Sequence, residues 1–384
     1  MLKKYYTYLP LVNSGMEEEW QQCLAQINKT RSDGNRPLKL NIFIDVDDYQ
    51  SCLDFRQKVA DSLKESFYDH SPSFNVTVHP PEEPWKIAVE AVFIPSGTGG
   101  IVTKYYNSIP YVVIETNSGK EVWGAGLGSG LFQHDTRKAG SSAFDQMVQI
   151  LSNEGMSLGN LVRQWNYIGN ILNVKDGYQN YQVFNEVRNE YYQKYRKIRG
   201  YPAATGVGMK LGGVTIDFAA VTAGESVKIN AIDNPNQVNA YEYEQQVLKG
   251  LALNGKSLKN PPQFERALLL TNNQAATIYV SGTASIIGQE TIGKGNIEEQ
   301  TLVTIDNIKK LTDAERISHM INNRSVHSAD FSLVRTYVKH KQDFEVVKAI
   351  CRSHFPDTPA IYIQADICRD DLLTEIEAEF DIRF

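Results

Sequence analysis

LVRQWNYIGN (residues 161–170) returns as LVRTYVKHKQ (residues 333–342), and the elements that flank the two copies repeat as well. An amphipathic helical stretch precedes each copy: FDQMVQIL from Phe144 in one case, QTLVTIDNIKKL from Gln300 in the other. A second helical stretch follows, YQVFNEVRNEYYQKY from Tyr181 or DFEVVKAICRSHF from Asp343. Each copy then reaches a Pro-Ala pair, Pro202-Ala203 or Pro359-Ala360, that opens two strands, the last being VTIDFAAV or TEIEAEF. A glycine-punctuated strand stands ahead of each first helix, VWGAGLGSGLF from Val122 and IYVSGTASIIG from Ile278. An element order repeated at matched spacing outweighs any single motif. It predicts an α+β fold of two tandem domains, each a mixed sheet with two helices packed on one face. The expected division is 1–222 and 223–384, with the join in the turn-rich stretch from Ala223 to Asn260. Further strands are expected at LNIFIDV from Leu40, KIAVEAVFI from Lys86 and ERALLLT from Glu265.

Composition narrows the function classes. A chain of 384 residues suits two domains, and 42% hydrophobic with 22% charged residues is the balance of a soluble globular protein. A net charge of −6 without a long basic run argues against a nucleic-acid partner. No apolar run suits a signal peptide or the roughly 20-residue span of a membrane helix. The four Cys form no CxxC pair and read as free thiols of a reducing cytoplasm. The seven His are scattered, so no metal site is expected. FIDVDDY from Phe43 has the Asp45-x-Asp47 spacing of phosphotransferases but lacks the hydroxyl that should follow. It reads better as the cap of a helix beginning YQSCLDFR. GAGLGSG from Gly124 lacks the Lys-Ser/Thr of a phosphate loop and reads as a strand bend.

Candidate chemistry gathers near the C-terminus. From Thr374 the chain alternates, with Glu375, Glu377 and Glu379 on one face and Ile376, Ala378 and Phe380 on the other. Alternation of this kind ordinarily marks a solvated face, and Glu377 and Glu379 are read that way. Aligning the repeats puts Thr215 where Glu375 stands, as expected if one copy alone kept a reactive carboxyl. Arg163 and Arg335 are the matched arginines of the repeats. Arg163 shares a strand face with Trp165 and Tyr167, a pattern suited to a planar ligand bearing carboxylates. GYPAATGVG, with Tyr201, Thr205 and Gly206, and SGTAS, with Ser281, Gly282 and Thr283, are small-residue loops. They let backbone and hydroxyl groups approach a ligand.

Several of these stretches resemble known proteins. VSGTASI, Gln300 leading the helix with Asn307-Ile308, and the closing EIEA resemble the YjgF-like fold, also described as chorismate-mutase-like. Together with LVRQWNYI, GYPAATGVGM, VRTYV and ADICRDDLLTEIEA, the chain resembles the chorismatase family. The resemblance implies cleavage of the enolpyruvyl ether of chorismate to pyruvate and a hydroxybenzoate, 3-hydroxybenzoate being favoured, or to a dihydroxycyclohexadiene carboxylate. It implies Glu375 as the general acid and Cys368 as a second catalytic residue beside the ring. Tyr167, Tyr201, Thr205, Gly206, Ser281, Gly282, Thr283 and the two arginines would bind substrate, with no cofactor, in a monomer or a homotrimer. Two other readings stand beside it. An imine or enamine deaminase of the YjgF type would need an Arg shortly after the second Pro-Ala, where this chain has Ile361 and Tyr362. A non-catalytic ligand-binding module would show neither activity.

Overall fold

The structure is a computed structural model that describes residues 3–384 apart from 117–118, 223, 225–226, 254 and 256. Ala223, the expected first residue of the second domain, thus lies outside the described residues, as do four more positions of the turn-rich join, 225, 226, 254 and 256.

The two expected repeats are present as α+β units with a mixed sheet each. The first contains β5 (Ile101–Tyr106), β6 (Ile109–Thr116), β7 (Gly119–Leu127), α3 (Thr136–Asn153), β8 (Leu161–Gly169), α4 (Asn180–Tyr195), β11 (Ala203–Met209) and β12 (Val214–Val221). A two-residue hairpin, β9 (Val174–Lys175) and β10 (Tyr178–Gln179), leads into α4. The second contains β13 (Lys228–Ile232), β14 (Ala267–Thr271), β15 (Ala275–Ala284), α5 (Ile297–Leu311), α6 (Ala314–Met320), β18 (Ser328–Val338), α7 (Phe344–His354), β19 (Ala360–Gln364) and β20 (Thr374–Arg383). The small ladder β16 (Ile286–Ile287) and β17 (Glu290–Thr291) follows β15.

Upstream of both repeats the chain builds one more unit from β1 (Lys4–Tyr8), α1 (Met16–Ser32), β2 (Asn35–Ile44), α2 (Tyr49–Phe67), β3 (Ser73–Val78) and β4 (Ile87–Pro95), so that in chain order this is the first unit and the two repeats are the second and third. The sheet orders make the kinship plain. β1-β4-β2-β3, β7-β12-β8-β11 and β15-β20-β18-β19 are the same four-strand arrangement, each ending in a parallel pair, and the two later sheets add an antiparallel pair of strands at the other edge. Residues 1–222 therefore hold two sheets. Local sequence explains the helices. Asp48 caps α2 by accepting from the Ser51 amide at 2.9 Å, and Cys52, Phe55, Val59 and Leu63 fall on one buried face at helical spacing.

Helices cover one face of each sheet, and the other faces meet in a shared core. Phe43, Tyr167 and Tyr337, one from each sheet, surround His79 with ring centroids 5.9, 5.5 and 6.4 Å away. Around that centre runs a ring of ion pairs in which each unit supplies a cation to the next. Lys39 on β2 pairs with Asp217 on β12 at 2.9 Å, Arg163 on β8 with Glu377 on β20, and Arg335 on β18 with Glu90 on β4. Arg335 also bonds Glu377, its cross-strand partner in the β18/β20 ladder. Six charges with almost no exposure survive there because each is paired, and an unpaired member would carry a full desolvation penalty.

This core corrects several readings. Arg163 and Arg335 are 0% exposed and committed to carboxylates, so neither is free to hold a ligand. Tyr167 faces His79 instead of a cleft. Glu377 and Glu379 are each 3% exposed, because the strand face that looked solvated points at two other sheets.

Candidate active site

A cleft of about 780 Å³, its open mouth included, lies where the second and third units meet. Four elements and two connections build it. α4 turns Tyr181, Gln182, Asn185 and Arg188 to the cleft, positions that share a helix face at i, i+1, i+4 and i+7. β11 brings Ala204, Thr205 and Gly206, and the end of β15 brings Gly282 and Ala284. The segment between β13 and β14 roofs the cleft with Tyr243, Val247, Leu248 and Phe264, and Arg266 stands just ahead of β14. Cys368 and Arg369 come from the turn before β20, and Glu375 from β20 itself.

The floor is shaped by a β-bulge. The β15/β20 ladder shifts register between Val280 and Thr283, which turns the Gly282 backbone against the carboxyl of Glu375. A Cβ at Gly282 would overlap Glu375 Oε1 and lie 2.9 Å from its Cδ. With any other residue at this position the Glu375 carboxyl would have to shift from where it stands. Burial, reinforced by the Glu377 anion, pushes the Glu375 carboxyl up from 4.5 to about 8, against the pull of Arg163 and Arg266. Burial would raise Glu377 too, but Arg335 and Arg163 outweigh it and hold that carboxyl below its ordinary value. Glu379 lies deeper still, and burial pushes it well above the usual range. The Cys368 thiol is raised to about 12 by burial and by neighbouring Glu375, so at neutral pH it is a thiol and not a thiolate.

The walls carry unpaired donors. Arg188 Nε, Arg266 Nε, Arg369 Nη2 and Asn185 Nδ2 are buried without a hydrogen-bond partner. Their other donors are tied down: Arg188 Nη2 to Asn185 Oδ1 at 2.7 Å, Arg266 Nη2 to Tyr243 Oη at 2.8 Å, Arg369 Nη1 to the Gln289 carbonyl at 2.7 Å. Three guanidinium groups, each with an anchoring hydrogen bond and an unpaired nitrogen, have the chemistry to pair with carboxylates. Between them Tyr181, Tyr243, Phe264, Val247, Leu248 and Ile286 supply apolar surface for a ring.

Of the expected site residues the structure brings Glu375, Cys368, Thr205, Gly206 and Gly282 to this cleft. Ser281 instead joins the units below it: its hydroxyl donates to the Glu265 carbonyl at 2.6 Å and accepts from the Ala204 amide at 2.8 Å. Thr283 donates to the Ser281 carbonyl. Tyr201 stacks on Tyr192 at the periphery, and its hydroxyl accepts from Gln263. Sequence reasoning missed Arg188, Arg266 and Arg369. The helical spacing of Tyr181, Gln182, Asn185 and Arg188 was available as a signal, since it places one arginine and three ring or amide groups on a single face. Arg266 sits at the head of a strand beside Glu265 and carries no local signature.

Comparison with known proteins gives consistent matches. The N-terminal family model described as chorismatase FkbO/Hyg5-like matches residues 115–220. A 3-hydroxybenzoate synthase of Streptomyces hygroscopicus is 32% identical over 248 residues, covering 62% of this chain and 68% of that protein. A chorismatase of Streptomyces rapamycinicus is 33% identical over 226 residues, covering 56% of this chain and 63% of that protein. A chorismatase crystal structure superposes over 99% of both chains with a TM-score of 0.67 at 21% identity, which establishes a common fold.

Proposed function

The chain belongs to the chorismatase family, and from that premise we propose that it cleaves the enolpyruvyl ether of chorismate, with Glu375 as the general acid. The observation that carries the reading is a carboxyl pushed up to about 8 at the floor of a cleft whose walls hold unpaired arginine donors. Chorismate is a cyclohexadiene with two carboxylates and an enolpyruvyl ether. Direct displacement at the ether is slow, so the reaction begins with proton transfer to the methylene carbon. That step needs an acid that is neutral near pH 7, which a buried Glu provides. Arg188, Arg266 and Arg369 take the two carboxylates and set the ether over the acid, while Tyr243 and Phe264 pack the ring.

Protonation gives an oxocarbenium ion and the Glu375 carboxylate. If water adds to that ion, the hemiketal collapses to pyruvate and a dihydroxycyclohexadiene carboxylate. If the neighbouring ring hydroxyl instead attacks the ring carbon that bears the ether, that C–O bond breaks and pyruvate leaves as the hydroxyl gives up its proton. The ring oxide so formed opens, loses the ring proton and regains it on oxygen, and chorismate divides into pyruvate and hydroxybenzoate without net water. We assign the second course, with 3-hydroxybenzoate as product, because the Cys368 thiol lies beside Glu375 and is protonated, able to relay a proton at the ring. The reaction as written uses no cofactor. Incubating purified protein with chorismate tests both levels. Pyruvate release supports the cleavage, and the mass of the second product decides the branch, since the diol exceeds the hydroxybenzoate by one water. Absence of pyruvate would overturn the proposal.

A further inference from the structure

Thr205 was expected to offer its hydroxyl to a ligand, but that hydroxyl faces the other way. It accepts from Arg163 Nη2 at 2.8 Å and from the Gly282 amide at 3.1 Å, and it donates to Glu377 Oε2. One donor and two acceptor sites are the full capacity of a hydroxyl, so the group is saturated and its orientation is fixed. Only the methyl side borders the cleft: a Cβ built on Gly282 would lie 3.1 Å from Thr205 Cγ2.

These contacts connect two parts of the molecule. On one side stands the buried ring of ion pairs, in which Glu377 accepts from Arg163, Arg335, Trp165, Tyr337 and Thr205. On the other side stands Gly282, whose backbone lies against the catalytic carboxyl. Thr205 is on β11 of the second unit, Gly282 on β15 and Glu377 on β20 of the third. The hydroxyl therefore ties two strands of one unit to a strand of the other directly beneath Glu375. Nothing about sheet packing alone requires a polar group there, and a valine would fill the same volume.

We propose that Thr205 is a positioning residue for Glu375, its hydroxyl clamping the Gly282 backbone to the ion-pair ring so that the acid is held at the cleft floor. This rests on the reading of Glu375 as the acid. Glu377, fixed as an anion by its two arginines, also sets the local charge that keeps Glu375 neutral. Position and charge then depend on different parts of one cluster. Removing the hydroxyl frees Gly282 to move while Glu377 keeps both arginines.

The test is a pair of substitutions assayed with chorismate across pH. Thr205→Val keeps shape and loses the clamp, and Thr205→Ser keeps the clamp and loses the methyl. Thr205→Val is expected to lower kcat by about 10–100-fold with KM within about threefold, as displacement of a catalytic group by about 1 Å does. Its alkaline limb should stay where the wild type has it. Thr205→Ser should recover most of kcat, and thermal melts confirm that both variants are folded at the assay temperature. A Thr205→Val enzyme within about twofold of wild type, or a Thr205→Ser enzyme as slow as Thr205→Val, would overturn the proposal. A second readout needs no substrate. The infrared band of the protonated Glu375 carboxyl, assigned by its loss in Glu375→Gln, should move in Thr205→Val and not in Thr205→Ser. A wild type inactive on chorismate contradicts the function, whereas an unmoved band contradicts the clamp.

Discussion

Glu375, Glu377 and Glu379 stand two residues apart on one strand face and are held in different charge states by what each one meets. Glu375 meets an apolar cleft and a neighbouring anion, Glu377 meets two arginines, and Glu379 is raised by burial, against the pull of Arg163 and with the push of the Glu377 anion. Glu375→Gln keeps the shape but cannot deliver a proton to carbon, so pyruvate release should fall by about 10²–10⁴. The wild-type rate should be flat below about pH 8 and fall above it as the acid ionises. Stability follows the same proton. A carboxyl raised from 4.5 to about 8 binds its proton more tightly when folded, so wild type should lose stability relative to Glu375→Gln as pH rises through that window. Denaturant melts of both proteins at pH 5 and pH 9 measure this, and parallel curves would contradict it. For the arginines, Arg266→Ala should raise KM through a lost charged contact of about 1.5–3 kcal/mol, roughly 10–100-fold. Arg163→Ala should act on stability instead, because its charge lies in the core. Glu375 was singled out in the sequence by the family resemblance, with the repeat setting Thr215 opposite it. The arginines that line the cleft were not, because α4 and the β14 entry meet only in three dimensions.

At the scale of elements, β8 and β18 carry the sequence repeat: β8 (Leu161–Gly169) falls on the quoted stretch, while β18 (Ser328–Val338) begins five residues before its stretch and ends four before it does. The purpose of their arginines was misread, and the reason is geometric. Alternation along a strand says that its two faces differ, but not that the polar face looks at water. Here the polar faces of β20 and β18 turn inward onto other sheets, where charges from three units pair. Arg335 serves Glu90 and Glu377 at once, so Arg335→Ala leaves two buried carboxylates without that partner. It should destabilise the protein by about 3–5 kcal/mol. Urea unfolding checks this, and a loss below about 1 kcal/mol would mean that the ring contributes little to folding. Gly282 makes the complementary case at the bulge of β15. An alanine there competes with the Glu375 carboxyl for the same space.

At the scale of the whole molecule, the chain is three related units closed around one axis. The first, N-terminal unit escaped the sequence reading because its kinship lies in strand order, whereas the short phrase that echoes α4, YQSCLDFR against YQVFNEVR, sits on α2 amid otherwise different residues. The register makes Ala88, Thr215 and Glu375 equivalent, facing Phe43, Tyr167 and Tyr337 across their ladders. One of three junctions therefore carries an acid, and the other two keep the architecture without it. Because each unit already pairs its ring charges with the next, a single chain completes the ring, and light scattering is expected to give the mass of one chain. A trimeric mass would show that further surfaces associate.

The most direct measurement is pyruvate release from chorismate by wild type and Glu375→Gln side by side across pH. The account predicts steady release by wild type below about pH 8, a fall above it, and at least about a 10²-fold lower rate in the folded variant at every pH below that limb. Equal rates in the two proteins, or no pyruvate from wild type at any pH, would contradict it.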